Sequence, residues 1–218
     1  MAEIEQVAAK RSQVHTRYYK KDGSPAVGVT TVLSVLAKPA LVPWANNLGL
    51  AGIKVREYVD VMAQIGTIGH AMILSHHKNE KFDTTNLSTD LVDKAENCAL
   101  SYFAWEKEHI VEPILCEAGL VSEEYGYGGT IDLYAMLDGV PTLIDYKTGK
   151  AIYPEHTYQA TAYRQLLAEN GHLVKAIRIL QVGREESEGF SEKSLTDTYR
   201  EWEIFKHCLA LYKLKVGK

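Results

Sequence analysis

The segment Gly128–Lys150 constrains the fold more tightly than any other part of the chain. Apolar residues alternate on either side of Asp138-Gly139, the dipeptide preferred by two-residue type I′ turns, so a β-hairpin is predicted. With that turn Leu137 faces Val140, and counting outward sets Asp132 opposite Asp145. A symmetric four-residue turn keeps this register, whereas a three-residue turn breaks it. Successive strand residues point to opposite faces. Ile131, Leu133, Ala135 and Leu137 therefore share a core face with Ile144 and Tyr146. Thr130, Asp132, Tyr134, Leu143, Asp145 and Lys147 fall on the other face.

Carboxylates directly opposite each other, with Cβ atoms roughly 5 Å apart, repel. Unless one is protonated, such a pair calls for a cation between its oxygens. Hard ions such as Mg²⁺ bind through one or two carboxylates together with water and substrate phosphates. Lys147 shares the acidic face and can reach a phosphate or a nucleophilic water. The plainer alternative is a surface hairpin whose acids and lysine are solvated and partly paired.

Composition narrows the class without naming a function. At 218 residues, 46% hydrophobic and 24% charged, the chain suits one soluble globular domain with a helical elaboration. No apolar run approaches the length of a membrane span, and Met-Ala-Glu-Ile-Glu-Gln lacks the layout of a signal peptide. Cys98, Cys116 and Cys208 have no Cys-x-x-Cys spacing, which favours a reducing, intracellular (cytoplasmic) setting and no zinc site. A net charge of −4 announces no nucleic-acid partner, although a metal-dependent site needs acids and can keep its basic residues local.

Along the chain, residues 1–28 form a polar arm or hairpin. Its basic residues Lys10, Arg11, Arg17, Lys20 and Lys21 interleave with Tyr18 and Tyr19. That mix suits a phosphate backbone with bases stacked on the aromatics; the alternative is a solvated arm or an edge hairpin around Asp22-Gly23. Residues 29–112 read as mainly helical. Val27–Val35 is apolar and β-branched, and Asn46–Met62 has helical spacing. Thr67 is placed as the N-cap of a helix carrying His70 in its first turn. An imidazole there is a candidate metal ligand, or a structural histidine. His76 and His77 are expected at the exposed end of that helix. Ala95, Cys98, Tyr102 and Trp105 recur at the steps of an amphipathic helix, closed by Pro113.

Residues 113–182 form the expected catalytic core. Ile114–Val121 is a strand with Glu117 at its middle, and the hairpin follows an acidic bend. A helix then runs from Pro154 to a C′ position at Gly171. Gln159 and Tyr163, four apart, share its face, as hydrogen-bond donors or, for Tyr163, as core packing with Leu166. Val174–Val182 is a strand. Residues 183–218 comprise a charged loop to Thr196 and a final helix, Thr198–Val216. The fold class is α/β, a short mixed sheet flanked by helices.

Taken in order, Gly66-Thr-x-x-His70, an acid on a strand (Glu117), Gly129-Thr-Ile-Asp132, Asp145-Tyr-Lys147-Thr-Gly and Gln159-x-x-x-Tyr163 form a set. The set resembles the PD-(D/E)XK nuclease superfamily in its RecB-like exonuclease branch, which includes Cas4 nucleases and the mitochondrial genome maintenance exonuclease. Val29-Thr-Thr-Val-Leu followed by Leu41-Val-Pro-Trp44 is similar to the segment before the histidine motif of the last of these. The resemblance covers about residues 27–182 and implies a restriction-endonuclease-like core.

It implies that His70, Asp132 and Asp145 ligate Mg²⁺ or Mn²⁺, with the Tyr146 main-chain carbonyl as a further ligand. Glu117 matches the acid before the Gly-x-x-Asp motif, with Glu124 close enough to leave that assignment open. Lys147 would orient the attacking water and stabilise developing charge, while Gln159 and Tyr163 would serve the active site and DNA. Cas4-type relatives carry four cysteines for an iron–sulfur cluster; three scattered ones supply none.

The function implied is a metal-dependent deoxyribonuclease, an exonuclease acting on single-stranded DNA or duplex ends in replication, recombination or repair. Its partners would be DNA and a recombination or replication protein, with no membrane. Phage and mobile-element recombination systems are the setting suggested by analogy. A structure-specific endonuclease and an inactive nucleic-acid-binding module are the alternatives on the same fold.

Overall fold

The computed structural model describes residues 17–217; the sequence-predicted basic residues Lys10 and Arg11 lie outside them. The elements are β1 (Tyr18–Tyr19), β2 (Pro25–Gly28), α1 (Val29–Leu33), α2 (Leu41–Leu50), α3 (Val55–His77), α4 (Thr89–Glu106), β3 (Val111–Val121), β4 (Tyr127–Leu137), β5 (Val140–Thr148), α5 (Pro154–Glu169), β6 (Ala176–Val182), β7 (Phe190–Leu195) and α6 (Tyr199–Val216).

The strands make one mixed sheet in the order β1-β2-β4-β5-β6-β7, and β3 also pairs with β4, along nearly its whole length, whereas β2 and β5 pair with different ends of it. β5 and β6 run parallel and are joined through α5, while β4–β5 and β6–β7 are antiparallel. Helices cover both faces. Ala160, Tyr163 and Leu166 of α5 and Phe205 of α6 pack with Tyr127, Tyr134, Leu143 and Ile177. Ile65, Ile73, Ala95 and Tyr102 of α3 and α4 pack with Leu133, Ile144, Tyr146 and Leu180. This is the α/β class expected, with helices on either face of the sheet.

The predicted hairpin register is present. Asp138 and Gly139 take φ of 50° and 78°, the positive values a type I′ turn requires, and Leu137 pairs with Val140. The Asp138 carboxylate accepts from the Ile110 N–H at 2.8 Å and from His109 at 2.7 Å, which ties the turn to the start of β3.

Several expectations are corrected. Thr67 is not an N-cap: α3 runs unbroken from Val55 to His77, and the Thr67 hydroxyl donates to the Ala63 carbonyl one turn back at 2.9 Å. Gly66 and Gly69 survive inside this helix because it packs closely there. A Cβ at Gly66 would lie 2.7 Å from Thr148 Oγ1, and one at Gly69 3.2 Å from Cys98 Cβ. The predicted helix Asn46–Met62 is split between α2 and α3 by a turn at Gly52, φ 75°.

Pro113 does not close α4, which ends at Glu106. It sits in β3, beside a register shift between Pro113 and Leu115, where an outer strand tolerates a residue without an N–H. The expected loop up to Thr196 contains the strand β7, whose side chains are mostly exposed and show no apolar alternation. His77 is not exposed: its side chain keeps only 5% of its accessible surface.

Candidate metal centre

The candidate site lies where β4 and β5 part. Their ladder holds the predicted register as far as Leu133↔Ile144, one step short of the Asp132/Asp145 pair. Beyond it, the Asp132 carboxylate takes the place of a ladder acceptor, as Oδ2 receives the Tyr146 N–H at 2.7 Å. The alternation of faces also breaks here. Ile131, expected beside Leu133, packs instead with Tyr127, Tyr134 and Leu143. On the neighbouring strand Glu117 has a φ of 47°, a conformation that costs a non-glycine residue about 1–3 kcal/mol and recurs at functional sites. The irregularity turns the strand side chains toward a common point.

His70 reaches that point from the middle of α3. Its Nδ1 lies 3.4 Å from Asp132 Oδ1 and 3.9 Å from Glu117 Oε1, and these three side chains form one of the two ligand clusters among the described residues. Burial opposes an imidazolium at His70, but the neighbouring Asp132 and Glu117 outweigh it and hold the ring's pKa above its ordinary value. Burial likewise opposes charge on Asp132. There His70, Lys147 and the Tyr146 N–H prevail, and the carboxyl stays below its usual range. Glu117 is pushed up by burial and by the Asp132 charge. Glu124, the other acid considered for this role, is exposed and lies outside the cluster.

Asp145 is fully buried. Lys147 Nζ lies 2.5 Å from its Oδ2, yet neither carboxylate oxygen has a partner in hydrogen-bond geometry among the described residues. Burial raises its pKa to about 6, with the Asp132 charge adding to the rise and Lys147 opposing it. A buried carboxylate lacking hydrogen bonds costs several kcal/mol unless a cation compensates it. Lys147 compensates one of these oxygens; the carboxylate, next to one histidine and two further acids, still offers a lone-pair face that fits a hard divalent ion.

The face of α5 borders the site. The Gln159 amide donates to the Tyr163 hydroxyl at 2.7 Å, leaving the phenolic proton free for another acceptor. Burial and the charges of Asp145 and Asp132 push the Tyr163 pKa well up, so the phenol keeps that proton. No protein-family model matches the chain, and no curated protein does. Among solved structures it is similar to an alkaline exonuclease (LHK-Exo) from Laribacter hongkongensis and to LHK-Exo in complex with dAMP. Each shares 12% identity and a TM-score of 0.46 over 88% of both chains. It is also similar to SSO0001, at 12% identity and a TM-score of 0.42 over 100% of this chain and 88% of that one. Likenesses this distant assign no activity.

Tyr163 also explains Gly129: a methyl there would overlap the edge of the tyrosine ring and crowd Leu166. Gly129→Ala is expected to cost ~1–3 kcal/mol, the range for overpacking a filled core, and to lower the thermal midpoint. An unchanged midpoint would show that Tyr163 gives way freely.

His156, which the sequence reading passed over, belongs to the same face. It lies three residues before Gln159 and seven before Tyr163, a spacing that was visible in the sequence. Its Nδ1 accepts the Tyr153 N–H at 3.2 Å at the start of α5. Burial and the Lys147 charge lower its pKa to about 4. The unfolded chain binds a proton near pH 6.5 that the folded chain refuses, so this residue's contribution to stability is lost as pH falls from 6.5 to 4. Thermal unfolding of His156→Gln should show a shallower loss across that window than wild type; parallel curves would contradict the assignment.

The N-terminal hairpin contributes packing. β1 pairs with β2 around Asp22-Gly23, the edge hairpin considered as one reading. The Tyr18 ring sits on Gly128, and its hydroxyl is 3.1 Å from Thr130 Oγ1. Lys20 pairs with Asp22, and the Lys21 N–H donates to Glu123. Arg17 and Tyr19 are exposed. A cleft of about 580 Å³ lined by Thr30, Ser34, Lys38, Glu155, His156 and Gln159 opens on the α5 side.

Proposed function

We propose that this protein is a Mg²⁺- or Mn²⁺-dependent deoxyribonuclease of the PD-(D/E)XK type, acting as an exonuclease on single-stranded DNA or duplex ends. The observation that carries the reading is the fully buried Asp145 carboxylate, ion-paired to Lys147 beside the His70–Glu117–Asp132 cluster. The order of the sequence motifs supports it. In this reading His70, Asp132, Asp145 and Glu117 hold the ion, with the Tyr146 carbonyl as a further ligand. When bound, the ion neutralises phosphodiester charge, lowers the pKa of a bound water and stabilises the departing oxygen.

The chain's own residues do the rest. Lys147, whose side chain is mostly buried, orients the attacking water and places a positive charge where negative charge develops. Asp145 holds that ammonium in place. Tyr163 presents its phenolic proton to a phosphate oxygen, because Gln159 already occupies the hydroxyl's acceptor side. The cleft beside α5, walled by the Lys38–Glu155 ion pair and by neutral His156, which can donate a hydrogen bond but adds no charge, takes the DNA backbone, and exposed Arg17 and Tyr19 extend that path.

The test is digestion of 5′- and 3′-labelled linear and circular DNA, single- and double-stranded, with Mg²⁺ or Mn²⁺. Release of nucleotides or short oligonucleotides from linear substrates, with circles spared, supports an exonuclease. Cleavage of circles would replace that with an endonuclease, and no cleavage of any substrate would overturn the reading.

A further inference from the structure

We propose that His76, His77 and Glu106 form a second metal site, for a borderline transition ion of the Zn²⁺ class, joining the C-terminal ends of α3 and α4. One ligand atom from each of the three lies within 4.8 Å of the others. The two helices run the same way, since Gly69 meets Cys98 near their middles and His76 meets Phe103 near their ends. The three donors therefore come from rigid helical backbone.

Hydrogen bonding fixes which lone pairs are offered. Tyr102 has one hydroxyl hydrogen, and it goes to Glu106 Oε1 at 3.0 Å because a carboxylate can only accept. The same hydroxyl lies 2.9 Å from His77 Nε2, so that nitrogen must be the donor. A neutral His77 ring then carries its lone pair on Nδ1, which faces Glu106 Oε1 at 3.8 Å. Two acceptors meet across this gap, and what they lack is a cation. His76 completes the set: in the metal-free protein its Nε2 donates to Glu106 Oε2 at 2.6 Å, and an incoming ion displaces that proton to reach the lone pair, while the ring lies against Phe103 with centroids 4.6 Å apart.

Two imidazoles and one carboxylate, with a ligating histidine oriented by a further hydrogen bond, are donors that Zn²⁺ takes with a fourth position open. They suit imidazole-seeking ions better than Mg²⁺, which prefers oxygen. The site is separate from the metal centre above, although Tyr102 links the two by packing on Tyr146 with ring centroids 5.1 Å apart.

The experiment uses untagged full-length Asp132→Asn/Asp145→Asn protein, stripped with chelator, so that the first centre is disabled whether or not the nuclease reading holds. Co²⁺ serves as the probe, followed by equilibrium dialysis and by its visible absorption. One equivalent is expected, retained in excess Mg²⁺. Adding His76→Gln, at an exposed position, or Glu106→Gln should weaken it at least tenfold, with the metal-free thermal midpoint of His76→Gln unchanged. No bound Co²⁺, or one equivalent undiminished by His76→Gln, would overturn the proposal.

Discussion

Lys147→Ala is expected to lower DNA hydrolysis by about 10²–10³-fold, the loss seen when one preorganised charge stabiliser leaves an active site, while DNA binding changes little. Nζ is 2.5 Å from Asp145 Oδ2, and the side chain is only 17% exposed, so its charge acts in a poorly solvated setting where screening is weak. Binding should persist because the cleft and the exposed N-terminal residues are untouched. Single-turnover hydrolysis beside fluorescence anisotropy with labelled oligonucleotide separates the two effects. Hydrolysis at the wild-type rate would place the chemistry elsewhere, and equal losses in binding and rate would make Lys147 a DNA anchor.

Asp145→Asn should abolish activity yet stabilise the metal-free protein. In the native state the Asp145 pKa stands at about 6, above its unfolded value, so the folded chain binds the extra proton between those pH values. Stability is therefore fully retained at low pH and lost as pH rises through 6. Removing the charge at pH 7.5 should recover about 1–3 kcal/mol. Loss of the Lys147 partner keeps the gain toward the lower end. At ~2–4 °C per kcal/mol for a chain of this size, the metal-free midpoint rises by several degrees. The gain should vanish near pH 4, and excess Mn²⁺ should raise the wild-type midpoint but not the variant's. A lower midpoint at pH 7.5 would mean that Asp145 is held by contacts that make its charge welcome.

What was legible in the sequence was local. Asp138 and Gly139 set the hairpin register through their own backbone preferences, and apolar alternation marked the strands. The break in alternation at Asp132 was not legible, because it depends on the strained Glu117 of another strand and on a side chain capturing the Tyr146 N–H. Gly66-Thr67 looked like a helix start since neither residue favours a helix interior. Close packing against Thr148 reverses that preference, as tertiary contact commonly does. β7 carried no pattern because its side chains are mostly exposed. The burial of His77 came from Tyr102 and Glu106, 25 and 29 residues away.

The site shows the same division. Asp132, Asp145 and Lys147 could be grouped by counting along one hairpin, and Gln159 with Tyr163 by helical spacing. His156 had the same spacing and was passed over. That His70 meets Asp132 and Glu117, and that Tyr18 lies on Gly128, depends on how α3 and the N-terminal hairpin dock on the sheet, which no local pattern encodes.

The most direct measurement of the central claim is anomalous diffraction from crystals grown with Mn²⁺, in wild type and in Asp145→Asn. The account predicts an anomalous peak bounded by His70, Asp132 and Asp145 in wild type, weakened or absent in the variant. No peak there in wild type, with the Asp145 carboxylate turned to an ordinary hydrogen-bonded partner, would contradict it.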